Sequence, residues 1–177
     1  MNNFPLLFPT VGTASSATDL FGSLGQRVVL ANGKVYRLCR AAAAIAAAAG
    51  KVLVSAVDAI TGERTWVVNT TTTANNALVS GVIPGVQAGT VSTTGLALGD
   101  YFLLQVGGDA QCLVGDNSAV GEVLATSTTA GVGVEIGNET TFLQVELGAA
   151  YAVVIKGLSQ ATTNAAGITA CRLINIG

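Results

Sequence analysis

The sequence predicts an all-β domain: a small β-barrel or sandwich of short strands, with an extended N-terminal arm and one short Ala-rich helix. Three observations lead there. Short apolar runs recur throughout the 177 residues and are punctuated by turn residues, glycine alone contributing 22. The chain is 50% hydrophobic and only 10% charged, so it can bury one core of ordinary size. Many short strands separated by Gly turns fit a sandwich or barrel better than an alternating α/β sheet.

The first 25 residues differ from the rest. Phe4, Leu6, Leu7 and Phe8 lie between Pro5 and Pro9, and a Gly/Thr/Ser/Ala stretch follows to Ala17. Proline fixes φ and drives its predecessor toward extended geometry, so the segment reads as an arm with apolar anchors. Two alternatives stay open: the arm grips a neighbouring molecule, or it packs as an edge strand on its own subunit. A single β domain is expected from residue 26 to residue 177.

Val28–Ala31, Asn32-Gly33 and Lys34–Leu38 form the strongest local signal, a hairpin; Asn-Gly suits a type I′ turn with positive φ at both central residues. Ala41–Ala49, interrupted only by Ile45 and closed by Gly50, is the expected helix, since alanine has the highest propensity and Gly50 suits its C-terminal cap. Val52–Val57 and Arg64–Val68, around Thr61-Gly62, read as a second hairpin. Thr70–Asn76 is a polar loop or exposed edge. The glycines and proline between Val79 and Thr94 indicate short strands and turns. Tyr101–Val106 and Gln111–Val114, around Gly107-Gly108, read as a third hairpin. Gly121–Ala125, Gly131–Ile136, Phe142–Leu147, Tyr151–Lys156 and Ile168–Ile176 supply further short strands.

Composition excludes several functions. A net charge of −2 offers no field for a phosphate backbone, so nucleic acid is not an expected partner. With no histidine, the commonest general base and metal ligand is absent. Serines therefore lack a base, and Lys34, Lys51 and Lys156 lack Ser-x-x-Lys spacing. Cys39, Cys112 and Cys171 have no paired spacing for zinc or redox chemistry and read as small buried apolar residues in a reducing cytoplasm. Asp100, Asp109 and Asp116 adjoin glycines, where carboxylates cap turns more often than they bind calcium. Gly131–Gly137 has the wrong spacing for a dinucleotide loop. We therefore expect no enzyme, no metal and no cofactor. No apolar run is long enough for a spanning helix, aromatics are too sparse for barrel girdles, and the N-terminus has no secretory signal, so no membrane is expected.

The charges are segregated. Arg27, Lys34, Arg37, Arg40 and Lys51 share one segment free of acidic residues between Asp19 and Asp58. Thr65 through Ile155 holds no Lys or Arg, yet contains Asp100, Asp109, Asp116, Glu122, Glu135, Glu139 and Glu146. Either these sets pair within one fold, or a basic edge meets an acidic edge on a neighbouring copy. Arg27, Lys34, Arg37 and Arg40 are the candidates for inter-subunit electrostatics. Trp66 is expected to pack in a core or hairpin rather than serve as a ligand platform.

Gly25–Val29, Asn32–Arg37, and Leu98-Gly99-Asp100-Tyr101-Phe102-Leu103-Leu104-Gln105-Val106-Gly107-Gly108 together resemble the capsid decoration, or cement, proteins of tailed bacteriophages. Gly121-Glu122-Val123-Leu124 is similar to a later strand of that family, and Tyr151–Leu158 with Thr169–Ile176 to its closing strands. The resemblance implies a homo-oligomer, a trimer in preference to a dimer, made in the host cytoplasm and bound to the major capsid protein on the outside of the head. Phe4, Leu6, Leu7 and Phe8 are then the candidate capsid- or neighbour-binding residues. A tail, fibre or spike component is the alternative in the same class, and a carbohydrate-binding β-sandwich module the alternative outside it.

Overall fold

The computed structural model describes residues 11, 13–16, 22–46, 50–73, 79–82, 94–115, 123–135, 155–156 and 167–173. It is all-β. In chain order the strands are β1 (Ala14–Ser15), β2 (Arg27–Val29), β3 (Val35–Ala41), β4 (Val52–Val57), β5 (Arg64–Asn69), β6 (Val79–Val82), β7 (Tyr101–Val114), β8 (Val123–Thr126), β9 (Gly133–Glu135), β10 (Ile155–Lys156) and β11 (Gly167–Leu173). The expected strands at Phe142–Leu147 and Tyr151–Val154, and the arm residues Phe4, Leu6, Leu7 and Phe8, lie outside the described residues.

The strands make one mixed sheet with the path β11-β10-β8-β9-β7-β6-β4-β5-β3-β2. It is open at β2, but two further pairings, β3 with β7 and β11 with β7, turn it back on itself. One circuit runs β3-β5-β4-β6-β7, and the other runs β7-β9-β8-β10-β11. Each contains one parallel pairing, β3 with β5 and β7 with β9. The shared element is β7: its first half pairs with β3 from Tyr101 to Gly107, its second with β11 from Gly108 to Val114.

The main core fills the first circuit. Val35, Cys39, Ala41, Ile45, Leu53, Trp66, Val68, Leu96, Phe102, Leu104 and Val106 pack together, with Leu24 and Ala14 against them. Alternation along β3 sends Val35, Cys39 and Ala41 into that core, while Tyr36 and Leu38 face the other way. There they meet Leu103, Tyr101, Val28 and Val11.

Three expectations are corrected. The β2–β3 hairpin falls where expected, but its turn is not type I′. The Gly33 N–H donates to the Leu30 carbonyl at 3.0 Å, and of Asn32 and Gly33 only Gly33 has positive φ (78°). That is a type I turn followed by a left-handed glycine, a three-residue loop with a G1 bulge. The Asn32 side chain accepts from the Lys34 N–H at 3.1 Å, which holds the loop without a positive φ of its own.

Gly107-Gly108 is not a turn. Tyr101–Val114 is one strand of 14 residues. The glycines instead mark a bend where the chain passes the β2–β3 turn, and a Cβ on Gly108 would lie 3.1 Å from the Gly33 carbonyl oxygen. The bend is held by Gln105, which is 2% exposed and donates from Nε2 to the carbonyls of Gly107 (3.3 Å) and Asp109 (2.9 Å).

Nor does a helix start at Ala41. Ala41 ends β3, and Ile45 forms an antiparallel bridge with Leu96. The first helical bond would join the Ile45 N–H to the Ala41 carbonyl. Both are taken by other segments: Ile45 donates to Leu96 at 2.9 Å, and the Ala41 carbonyl accepts from Gly99 at 3.0 Å. The Ala42 N–H likewise donates to Val68 at 2.8 Å. Ladder bonds to distant segments outweigh a propensity worth less than about 1 kcal/mol per residue. Small alanine side chains let those segments approach closely. Residues 47–49 lie outside the described residues.

Candidate functional site

The most unusual local geometry lies at the β2, β3 and β5 end of the first circuit. Between Ser55↔Val68 and Val57↔Arg64, β4 advances two residues while β5 advances four. The surplus forms a bulge, closed by Thr65: its hydroxyl donates to the Ala56 carbonyl at 3.1 Å and accepts from the Val67 N–H at 3.3 Å. Trp66 sits in that bulge with φ of +56°, a left-handed conformation that costs a side-chain-bearing residue about 1–2 kcal/mol.

The bulge turns the indole inward, where Trp66 is 8% exposed within the core, as expected for a packing role. Its edge lies against Gly25, where an added Cβ would stand 2.3 Å from Cδ1 of the ring. Only glycine fits there. Above the ring lies the Arg37 guanidinium, 4.6 Å from the centroid. Arg37 Nη1 also donates to the Gly25 carbonyl at 2.6 Å. Arg37 thus joins β3, β5 and the segment leading into β2.

Two further arginines reach this point. Arg27 on β2 is the direct cross-strand partner of Arg37. Arg64 comes from the start of β5, at the edge of the Trp66 bulge. Burial lowers the basicity of Arg37, and the charge of Arg27 lowers it further. Arg64 is lowered by burial first and by the charge of Arg37 second. Like charges directly opposite each other in a sheet are destabilising, so the fold sustains this cluster against repulsion.

The four basic residues singled out in the sequence therefore separate. Arg27 and Arg37 are brought together. Arg40 is exposed and three positions from Arg37, which puts it on the opposite face of β3. Lys34 lies in the β2–β3 turn. Arg64 was not among the sequence candidates. Its place depends on a bulge between distant strands, for which the flanking Thr65-Trp66 gives no local signal.

The remaining candidates behave structurally. Asp100 Oδ2 accepts from the Ala97 N–H at 2.8 Å, a turn cap as expected. Asp109 instead lies within β7, exposed, opposite Arg172 in register. Asp116 lies outside the described residues. All three cysteines are free and buried. Burial pushes the Cys39 thiol up, and a hydrogen bond from the neighbouring Cys171 joins burial in raising Cys112. Thiols so raised are poor nucleophiles. Among the described residues no group of three metal-ligating side chains gathers, and no helix is long and apolar enough to cross a membrane.

No protein-family model matches the chain, and no curated protein sequence matches it. Among solved structures, the crystal structure of the head fiber gp8.5 N base in bacteriophage phi29 is similar at a TM-score of 0.45. Sequence identity is 13%, over 81% of this chain and 96% of that one. A likeness this distant has no bearing on the role of the chain.

Proposed function

We propose that this chain is a structural protein of a tailed-phage virion, a head decoration protein that grips the capsid exterior through its N-terminal arm. The sequence resemblance supports the reading, and its strongest stretches fold into one place. Gly25–Val29 and Asn32–Arg37 enter the β2–β3 hairpin, while Leu98–Gly108 makes a turn and the first half of β7 beside it.

The observation that carries the arm mechanism is the fixed root of that arm. Ala14 and Ser15 pair with Phe102 and Tyr101 of β7, and Val11 packs against the cluster of Tyr36, Leu38 and Leu103. Phe4, Leu6, Leu7 and Phe8 are therefore tethered a few residues from a rigid sheet. Burying them on a partner gains at most about 1.5–3 kcal/mol each. Ordering the chain costs about 1–2 kcal/mol per residue, so one arm is near break-even. A fixed root, two prolines and several arms per oligomer shift the balance toward binding. The predicted partners are the major capsid protein and other copies of this chain, with chemistry playing no part.

Deleting residues 2–9 tests this directly. The truncated chain should keep its fold, yet bind isolated heads at least about a hundredfold more weakly in co-sedimentation. Decoration at unchanged affinity would remove the arm from the mechanism. Copy number separates the fibre reading: a decoration protein approaches lattice stoichiometry on the head, while a fibre or tail component is present in a few copies.

A further inference from the structure

The cluster of Arg27, Arg37 and Arg64 is larger than its structural task requires. Arg37 alone spans the Trp66 ring and the Gly25 carbonyl. Arg27 and Arg64 make neither bond, and their positive charge opposes the one that does. A fold gains nothing internally from adding cations beside one already half-buried. The surplus suits an anion supplied from outside.

The setting favours a protein carboxylate. Arg27 is exposed on β2, where the sheet path is open, and it is flanked by apolar side chains: Val29 is 57% exposed and Leu30 is 37% exposed. Mixed apolar and basic edges match protein surfaces, whereas three arginines on a chain of net charge −2 do not make a nucleic-acid track. The complementary surface is present in the same sequence. From Thr65 to Ile155 the chain holds seven carboxylates and no Lys or Arg.

We propose that Arg27 and Arg64, oriented around the Arg37–Trp66 stack, form a carboxylate-binding patch that receives the acidic half of a second copy of this chain. The contact is heterologous, since a basic edge meets a different, acidic surface, and it leads to a closed ring when the rotation closes. The charges fix orientation and register, and the apolar edge of β2 adds area. This inference shares with the proposed function only the expectation of self-association; it does not depend on capsid binding.

The test uses the full chain in sedimentation velocity, across a dilution series at low salt and at about 1 M salt, where the screening length falls to about 3 Å. Trp66 is the single tryptophan, so its fluorescence reports on the patch at the same time. The wild-type chain should sediment as an oligomer at low salt and shift toward monomer at high salt, with a parallel change in Trp66 emission. Arg27→Gln with Arg64→Gln, leaving Arg37 in place, should weaken association at least about tenfold while the near-ultraviolet circular dichroism of the fold is retained. Neutralising the other side, with Asp109→Asn, Glu122→Gln and Glu135→Gln together, should weaken it comparably. A monomer under all conditions, or association indifferent to the arginine pair, overturns the proposal. So does loss with the arginine variant alone, or a Trp66 response to duplex DNA in place of protein concentration. Failure to bind heads with self-association intact would count against the capsid reading and leave this one standing.

Discussion

The two halves of β7 have contrasting neighbours. Its second half meets β11 in seven consecutive residue pairs, Gly167↔Val114 through Leu173↔Gly108, with no shift in register. Around its first half every longer ladder is interrupted: β3 with β7, β4 with β5 and β4 with β6 all shift. The regular half buries Cys112 and Cys171 on adjoining strands and gathers no charged cluster among the described residues. The irregular half holds the left-handed Trp66, the Arg37 stack and the two added arginines. A ladder in register presents side chains in fixed alternation. A bulge breaks that alternation and lets a core indole and a surface cation stack on each other. Irregularity here is the means by which a charge-poor chain builds a charged site.

The sharpest way to break the contrast is Gly25→Ala. The new Cβ would stand 2.3 Å from the indole at a backbone φ of +82°, so ring or backbone must move. We expect a loss on the order of 3 kcal/mol in urea unfolding, with Trp66 emission changed in the native state. Unchanged emission would mean that Gly25 does not position the stack.

Gln105→Leu should come next. It removes the two amide bonds that hold the bend between the halves and leaves the carbonyls of Gly107 and Asp109 without that donor. A loss of about 1–3 kcal/mol is expected. Hydrogen exchange should also open the two ladders at different rates where the wild type opens them together. Equal exchange in both would show that the bend does not couple them.

Smallest of all is Asp58→Asn, in the β4–β5 turn far from β11. Asp58 Oδ1 accepts from the N–H groups of Ile60 (2.9 Å) and Thr61 (2.8 Å), and these bonds hold its carboxyl below the usual range. A depressed carboxylate adds stability that is fully present above its unfolded value of about 3.9 and fades as pH falls through the folded one. The wild type should therefore exceed the variant slightly at neutral pH and converge with it in strong acid, as read from melting temperature. A difference that grows on acidification would reverse the assignment.

What the sequence made legible follows from the range of each interaction. The hairpins at Asn32-Gly33 and Thr61-Gly62 are local, and both lie where turn chemistry puts them. Even so, Asn-Gly specified the place and not the turn type, because a G1 bulge uses the same two residues. Gly107-Gly108 resembles a turn in sequence, yet it bends a continuous strand, a choice made by β3 and β11 from far along the chain. Ala41–Ala46 has helical composition, but its backbone is claimed by Leu96, Gly99, Asp100 and Val68. The site divides in the same way. Arg27 and Arg37 are opposed across a hairpin and were within reach of sequence reasoning. Arg64 joins them through tertiary geometry.

The shared strand also sets an order of assembly during synthesis. When β7 leaves the ribosome, β3, β4, β5 and β6 have already been made, so the first circuit can close before β8 exists. The second circuit has no such freedom, for its last pairing awaits β11, and the second half of β7 must stand meanwhile as an unpaired template. That exposed edge belongs to the acidic, cation-free part of the chain. Its uniform negative charge would keep nascent copies apart until β11 arrives to cover it.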